Sequence, residues 1–260
     1  MHIKQYMNTC KNLVWSDLLV FKQNVLDKVI DVGIWVGLTV VVTGYVMPYF
    51  GLTNFGPFQL CGVVAAVGLF ELYSTVVDLV ADFEGDRVIN YNLTLPIPSV
   101  LALMSKSVYY FIIYSTLTVL MLPIGWVCLW GQWHLMNISY FKLVLAILFQ
   151  SMFYACFVLW AASMIANMSK LGTVWARFIF PMWFMGGFQF SWLSLHHAMP
   201  MLAYINVINP MIYITESMRA AMLGQEGYVN FWICLIAIAV YSILSLALGI
   251  RNLKKRLDFV

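Results

Sequence analysis

Long apolar runs alternate with short polar connections along most of the chain. Each run holds about 20 residues or more, and at about 1.5 Å per helical residue this covers the hydrocarbon core of a bilayer, about 30 Å thick. The runs are apolar on all sides, whereas a membrane β-barrel would alternate at every second residue. Lipid offers the backbone no hydrogen bonds, so helices are the predicted form. The predicted spans are residues 29–50, 57–80, 101–130, 142–167, 174–194 and 230–250.

The composition agrees with a lipid environment for most of the 260 residues. Hydrophobic types make up 63% of the chain and charged types 10%, whereas a soluble domain carries about a quarter charged residues. So few charges cannot cover a soluble core of this size. We predict an all-α integral membrane protein with six transmembrane helices in one domain, residues 29–250, and a cytoplasmic tail, residues 251–260.

The segment ahead of the first span has its own pattern. Val14, Leu18, Phe21 and Val25 recur at helical spacing, with charged residues between them. This predicts an amphipathic interface helix over residues 1–28, lying on the cytoplasmic face of the membrane. A simple interfacial anchor is the favoured interpretation, and a lever against a cytoplasmic partner is the alternative.

The basic residues predict the orientation of the chain. If the six spans alternate, 12 of the 14 Lys and Arg residues fall on one side, and Lys142 and Arg219 remain for the other. Cytoplasmic loops carry the excess of basic residues, so both termini are expected to be cytoplasmic. We expect a multi-pass protein of a cell membrane, first of all a bacterial inner membrane.

Two connections stand out for their composition. The cytoplasmic loop over residues 81–99 is acidic where Lys and Arg would be usual, which suits a basic protein partner or a solvated loop. Its marked residues are Asp82, Glu84, Asp86, Arg87 and Pro96. The outer segment 195–229 is too broken for a span and is predicted to hold re-entrant or interfacial helices. There, Glu216 and Arg219 stand three apart on one helical face, and structural pairing is their expected role.

The sequence contains no motif for covalent chemistry. It has no phosphate-binding GxxxxGK[ST] loop and no GxSxG elbow, and its adjacent His196 and His197 point to different helix faces. The five cysteines are isolated and odd in number. We therefore expect no catalytic residue, metal or cofactor in this chain, and no nucleic-acid partner.

Glu71 and the aromatic residues around the fifth span are candidates for a translocation path. Glu71 lies near the middle of span two, where an ionised carboxylate is costly. A pathway role and a satisfied packing contact both remain open for it. Trp183, Phe184 and Phe188 belong to an aromatic-rich surface, for which lipid-facing packing is favoured over stacking against a sugar or flat ligand.

Taken in order along the chain, two motifs resemble those of ABC-2 type transporter permeases. The family often carries acidic-Arg, a spacer, Leu-Pro, a small residue and then Lys, and later Asn-Pro, an aromatic residue, an acid, Arg and Leu-Gly. The matching residues here are Asp86, Arg87, Leu95, Pro96, Ser99 and Lys106, then Asn209, Pro210, Tyr213, Glu216, Arg219, Leu223 and Gly224.

The resemblance covers nearly the whole chain and implies half of an exporter. In this family two permease copies pair, here as a homodimer, and two separate ATPase subunits hold ATP and Mg²⁺. The loop 81–99 would then be the coupling helix that contacts the ATPase. The channel would lie at the dimer seam, lined by spans one, two and five.

The substrate is not determined by the sequence. Export of a glycan or glycolipid ranks just above multidrug or lipid efflux by a permease of the same family. From other classes, a secondary transporter without an ATPase and an intramembrane enzyme remain alternatives. Inverted repeats would favour a secondary transporter, and residues 29–130 and 142–250 show no convincing similarity.

Overall fold

A computed structural model describes residues 2–52, 55–84, 97–131, 138–165 and 167–257. The described residues are helices joined by turns, with no strand among them. Four long helices come first, then one helix of mixed type and three short α-helices, and a long helix ends the described chain. We number the longer α-helices α1 His2–Val41, α2 Phe55–Glu84, α3 Ser99–Cys128, α4 Tyr140–Ser163, α5 Trp192–Ala198, α6 Pro200–Asn206, α7 Pro210–Met222 and α8 Phe231–Leu257.

Among the residues that the structure describes, five helices are long and apolar enough to cross a membrane. They are Lys4–Phe50, Phe55–Phe83, Ser99–Cys128, Tyr140–Ser163 and Phe231–Lys255. The chain is therefore a multi-pass helical membrane protein, and five of the six predicted apolar runs coincide with these helices.

The N-terminal region differs from the prediction of a separate interface helix at residues 1–28. α1 runs without a break from His2 to Val41, so the predicted interface helix and the first span form one rod. A π-turn at Val42–Val46 and a 3₁₀ turn at Met47–Phe50 extend it. Forty helical residues measure about 60 Å, about twice the hydrocarbon thickness, so one end of α1 reaches beyond the membrane core.

The fifth predicted run, 174–194, forms a helix of mixed type that begins and ends earlier in the chain than predicted, at residues 168 and 185. A 3₁₀ turn at Met168–Lys170, α-helix at Leu171–Val174, a π-turn at Trp175–Ile179 and α-helix at Phe180–Met185 follow one another. We call this stretch the 168–185 helix. It ends at Gly186 and Gly187; Gly187 has φ +73°, a conformation that favours glycine.

The core lies around α2 and α4, whose side chains are buried along most of their length. A Cβ added at Gly68 of α2 would overlap the ring of Tyr154 on α4. The Tyr154 hydroxyl donates to the Ala65 carbonyl of α2 at 2.7 Å. Small residues thus let these two helices approach closely, as is usual where lipid supplies no hydrophobic driving force.

The chain direction follows from contacts at the ends of α4 and α8. The Lys142 Nζ, in the first turn of α4, lies 5.6 Å from the ring centroid of Phe231, the first residue of α8. At the other end, Asn252 Nδ2 of α8 donates to Ser163 Oγ of α4 at 3.4 Å. α4 and α8 therefore run in the same direction, and the chain between them returns to its starting side.

Helix α7 lies inside this assembly rather than on its surface. Nearly all of its residues are buried. Just before its first turn, the Ile208 carbonyl accepts a hydrogen bond from the Tyr241 hydroxyl at 2.9 Å. Tyr241 is ten residues into α8, about 15 Å from its start, so the break between α6 and α7 lies beside the middle of α8.

Candidate functional site

An aromatic pocket of about 240 Å³ lies between α1, α2 and the 168–185 helix. Each of these three elements contributes at least one bulky aromatic ring. The residues that line this aromatic pocket are Trp35, Ala66, Leu69, Phe70, Trp175, Ile179 and Trp183. All seven are apolar or aromatic, and three are tryptophans whose indole N–H groups are the side-chain hydrogen-bond donors of the wall.

Ring stacking fixes the walls of the aromatic pocket. Trp35 of α1 stacks on Phe70 of α2, with ring centroids 4.8 Å apart and an 18° angle between the planes. Phe188 follows, at 6.3 Å from Trp35 and 5.6 Å from Trp183. The structure therefore brings two of the sequence candidates, Trp183 and Phe188, together with Trp35 and Phe70, which the sequence did not single out.

The third aromatic candidate, Phe184, lies elsewhere. It is 53% exposed and packs on Phe180 and Trp183, with centroids 4.4 and 5.3 Å apart. It does not line the aromatic pocket. Successive side chains of a helix point about 100° apart, and here Trp183 lines the pocket whereas Phe184 is exposed.

Glu71, next to Phe70 on α2, forms an ion pair with Lys28 of α1. The Lys28 Nζ lies 2.8 Å from Glu71 Oε2, and the side chains are 26% and 7% exposed. The Ser74 hydroxyl donates to the same oxygen at 3.1 Å. Lys28 is therefore the partner that Glu71 requires if its role is a satisfied packing contact. Because a buried carboxylate needs a nearby cation, the sequence could have indicated this pair: Lys28 lies at the start of the apolar part of α1.

Glu216 and Arg219 form a second ion pair, within α7. The Arg219 Nη1 lies 3.4 Å from Glu216 Oε1, and both side chains are 0% exposed. The structure confirms the pairing that their spacing predicts. It also shows that both side chains are fully buried, which the sequence did not indicate. Burial raises the pKa of Glu216 and lowers the pKa of Arg219 from their ordinary values, and their mutual attraction opposes both shifts.

The Arg219 guanidinium holds the turn that follows the 168–185 helix. It donates to the carbonyls of Gly187 at 2.5 Å, Phe188 at 3.2 Å and Phe190 at 3.0 Å. Its Cζ also lies 3.8 Å from the ring centroid of Phe58 on α2. Arg219 therefore fixes the backbone that carries Phe188, and through Phe188 it supports the aromatic pocket.

The Glu216 carboxylate ties two more segments to α7. Its Oε1 accepts from the Trp192 N–H at 3.0 Å, and its Oε2 accepts from the Val229 N–H at 2.9 Å. Trp192 begins α5, and Val229 precedes α8. Together, the two charges of α7 hold two connections, the one between the 168–185 helix and α5 and the one that precedes α8.

Asn209 and Pro210 start α7. The Asn209 Oδ1 accepts from the Met211 N–H at 3.0 Å, which is a helix N-cap, and Pro210 occupies the first turn, where no N–H is needed. The Asn209 Nδ2 donates to Met182 O of the 168–185 helix at 3.2 Å. Asn209 and Pro210, which begin the second of the two sequence motifs, therefore cap a buried helix and anchor it to the 168–185 helix.

The predicted coupling residues are only partly covered by the described residues. Asp82 lies partly buried in the last turn of α2, and Glu84 ends that helix. Asp86, Arg87 and Pro96 lie outside the described residues. Over the ranges that the structure describes, no group of three or more His, Cys, Asp or Glu side chains could hold a metal ion.

No protein-family model matches the chain, and no curated protein matches its sequence. The arrangement itself consists of an apolar aromatic pocket, a neighbouring ion pair and a buried charge pair that supports one wall. Such a pocket binds apolar or stacking surfaces.

Proposed function

We propose that this chain is the transmembrane permease subunit of an ATP-driven ABC exporter, which moves an amphiphile outward by alternating access. The observation that carries the proposal is the aromatic pocket. It lies between α1, α2 and the 168–185 helix, the three elements that correspond to the spans expected to line the channel of an ABC-2 permease. The order of the two sequence motifs supports the same family.

The proposed topology has six spans, with the 168–185 helix as the fifth. Its 18 residues measure about 27 Å, close to the hydrocarbon thickness. One observation supports this additional crossing: α4 and α8 run in the same direction, so the chain between them must return across the membrane. With six spans, both termini lie on the same side of the membrane. The excess of basic residues on that side indicates that it is the cytoplasmic side, and a bacterial inner membrane is the first candidate.

The outer segment 195–229 is then a re-entrant structure before the last span. Two observations support this proposal: Ile208 lies beside the middle of α8, and α7 is buried. Backbone that is not helical is tolerated at membrane depth where protein covers it and satisfies its polar groups. Within this segment, the Tyr241 hydroxyl pairs with the Ile208 carbonyl, and the Gln225 and Glu216 side chains pair with the Val229 carbonyl and N–H.

The lining of the aromatic pocket favours an amphiphile over a free sugar. A free glycan exposes many hydroxyls, and the three indole N–H groups of the lining could satisfy few of them. A glycolipid could place its lipid or one sugar face against the rings, so it is the first candidate. The same apolar lining supports multidrug or lipid efflux as the second candidate function.

The exporter would consist of two copies of this chain and two ATPase subunits beneath them, where ATP and Mg²⁺ bind. Exposed apolar side chains along α1, such as Ile34 at 57% and Leu38 at 63%, leave one face for lipid or for the second copy. ATP-driven closure of the ATPases would shift the population between inward- and outward-open states.

Transport assays on pocket variants test this proposal. The exporter complex, purified from native membranes, would be placed in proteoliposomes and given a fluorescent short-chain glycolipid. We expect Trp183→Ala to lower ATP-driven uptake at least about tenfold, because it removes a wall of the aromatic pocket. Trp232→Ala is the matched control, since Trp232 is 53% exposed at the start of α8 and distant in the chain from the pocket residues. Equal uptake by the two variants would refute the pocket as the path.

A further inference from the structure

A second cavity, of about 600 Å³, lies on another face of the 168–185 helix, away from the aromatic pocket. α4, the 168–185 helix and α8 form its walls, and Phe153, Phe157 and Leu244 are among its apolar lining residues. We call it the asparagine groove, after Asn206 in its wall. Its volume is typical of small-molecule sites. Leu244 is 52% exposed, so the groove is open sideways, toward the bilayer in a membrane.

Asn206 distinguishes this groove from an ordinary lipid-facing surface. The residue is 2% exposed, and neither its amide nitrogen nor its amide oxygen has a hydrogen-bond partner. The neighbouring Asn209 uses both of its amide atoms, on Met211 N and Met182 O. A buried amide that stays unpaired is unfavourable, and it is satisfied by a group that can both donate and accept.

Arg177 supplies a charge in the lining of the asparagine groove. It is the charged residue of the lining, it is exposed, and it forms no ion pair among the residues that the structure describes. Met182, whose carbonyl contacts Asn209, lies five residues further along the 168–185 helix, about 8 Å by helical rise. The groove therefore combines a cation, an apolar channel and an unpaired amide.

We propose that the asparagine groove binds an anionic long-chain amphiphile that carries a hydroxyl or amide group partway along its chain. The anionic group pairs with Arg177, the chain lies against the aromatic and aliphatic wall, and the hydroxyl or amide pairs with Asn206. The amide atoms of Asn206 are buried, so a side-chain rotation toward the groove accompanies binding. This site is separate from the aromatic pocket and does not rest on the proposed export function.

Calorimetric titration of the purified chain in detergent with 10-hydroxystearate and with stearate tests the proposal. The two acids differ in the hydroxyl alone. We expect the hydroxylated acid to bind about tenfold more tightly, which corresponds to one additional hydrogen bond in an apolar site. In Asn206→Leu the ratio of the two affinities falls to about one, whereas the exposed Asn167→Leu keeps it near ten. Arg177→Gln weakens both acids by a similar factor, and Lys170→Gln leaves both unchanged.

Equal affinities of the two acids for the unaltered chain, or no measurable binding of either, would overturn the proposal without the need for any variant. A tenfold preference that survives in Asn206→Leu would also overturn it, because the hydroxyl would then be recognised elsewhere. Asn206→Leu is expected to fold, since replacing an unpaired buried amide with an apolar group of similar size removes an unfavourable term.

Discussion

Lys28 of α1 and Glu71 of α2 lie 2.8 Å apart, with the carboxylate side chain 7% exposed and the lysine side chain 26% exposed. Lys28 lies at the start of the apolar part of α1, and Glu71 directly follows Phe70, which lines the aromatic pocket. The ion pair thus joins two of the three elements that line this pocket.

The first prediction concerns the energetics of this pair. Glu71→Leu leaves the Lys28 charge without its partner, and we expect the free energy of unfolding to fall by about 3 kcal/mol. The double variant Lys28→Met with Glu71→Leu removes both charges and should recover most of that loss. Denaturation in detergent measures both effects.

The same variants distinguish the two interpretations of Glu71. If pairing is its role, the double variant regains transport together with stability. Stability that returns without transport would instead identify Glu71 as a residue of the pathway. A double variant no more stable than Glu71→Leu would contradict the pairing account itself.

The second prediction concerns Arg219. Arg219→Met leaves the carbonyls of Gly187, Phe188 and Phe190 without their donor and Glu216 without its cation. We expect a loss of about 3–5 kcal/mol in the free energy of unfolding, as for other broken buried pairs. Arg251→Met, at an exposed position of α8, should change it by less than about 0.5 kcal/mol.

A further measurement separates the support of Phe188 from general stability. Where Arg219→Met still folds at low temperature, the signal of a fluorine label on the Phe188 ring should shift and broaden, because the backbone that carries it has lost three hydrogen bonds. An unchanged Phe188 signal in the folded variant would argue against the link between Arg219 and the aromatic pocket.

The third prediction concerns the contact of α2 with α4. A side chain at Gly68 would overlap the Tyr154 ring, so Gly68→Ala should lower the free energy of unfolding by about 1–3 kcal/mol. Gly172→Ala is the control, because no atom lies within 4 Å of a Cβ there and the backbone is helical. It should leave stability unchanged or raise it by up to about 1 kcal/mol. Equal effects at the two glycines would contradict the close packing of these helices.

The sequence predicted the membrane class and most of the helices because apolar runs of this length have few other stable environments. It could not predict that α1 is continuous, since a polar amphipathic segment and an apolar span can form one helix when neither proline nor a turn separates them. The predicted fifth span extends to residue 194, whereas the 168–185 helix ends before Gly186 and Gly187.

The candidate site was predictable in part. The sequence identified Trp183, Phe188 and Glu71, but an apolar helix carries no polar face to show which rings point inward, so Trp35 and Phe70 were missed. The Glu216–Arg219 spacing predicted the pair. The three carbonyls that Arg219 holds come from a turn about 30 residues away, and no local pattern indicates such contacts.

The central claim, that this chain is a permease driven by a separate ATPase, is tested most directly by transport in proteoliposomes. The purified chain alone and the complex purified with its ATPase would each be given the fluorescent glycolipid with and without ATP. The account predicts uptake by the complex with ATP and none by the chain alone, even with a proton or sodium gradient applied. Concentrative uptake by the chain alone, driven by such a gradient, would contradict it.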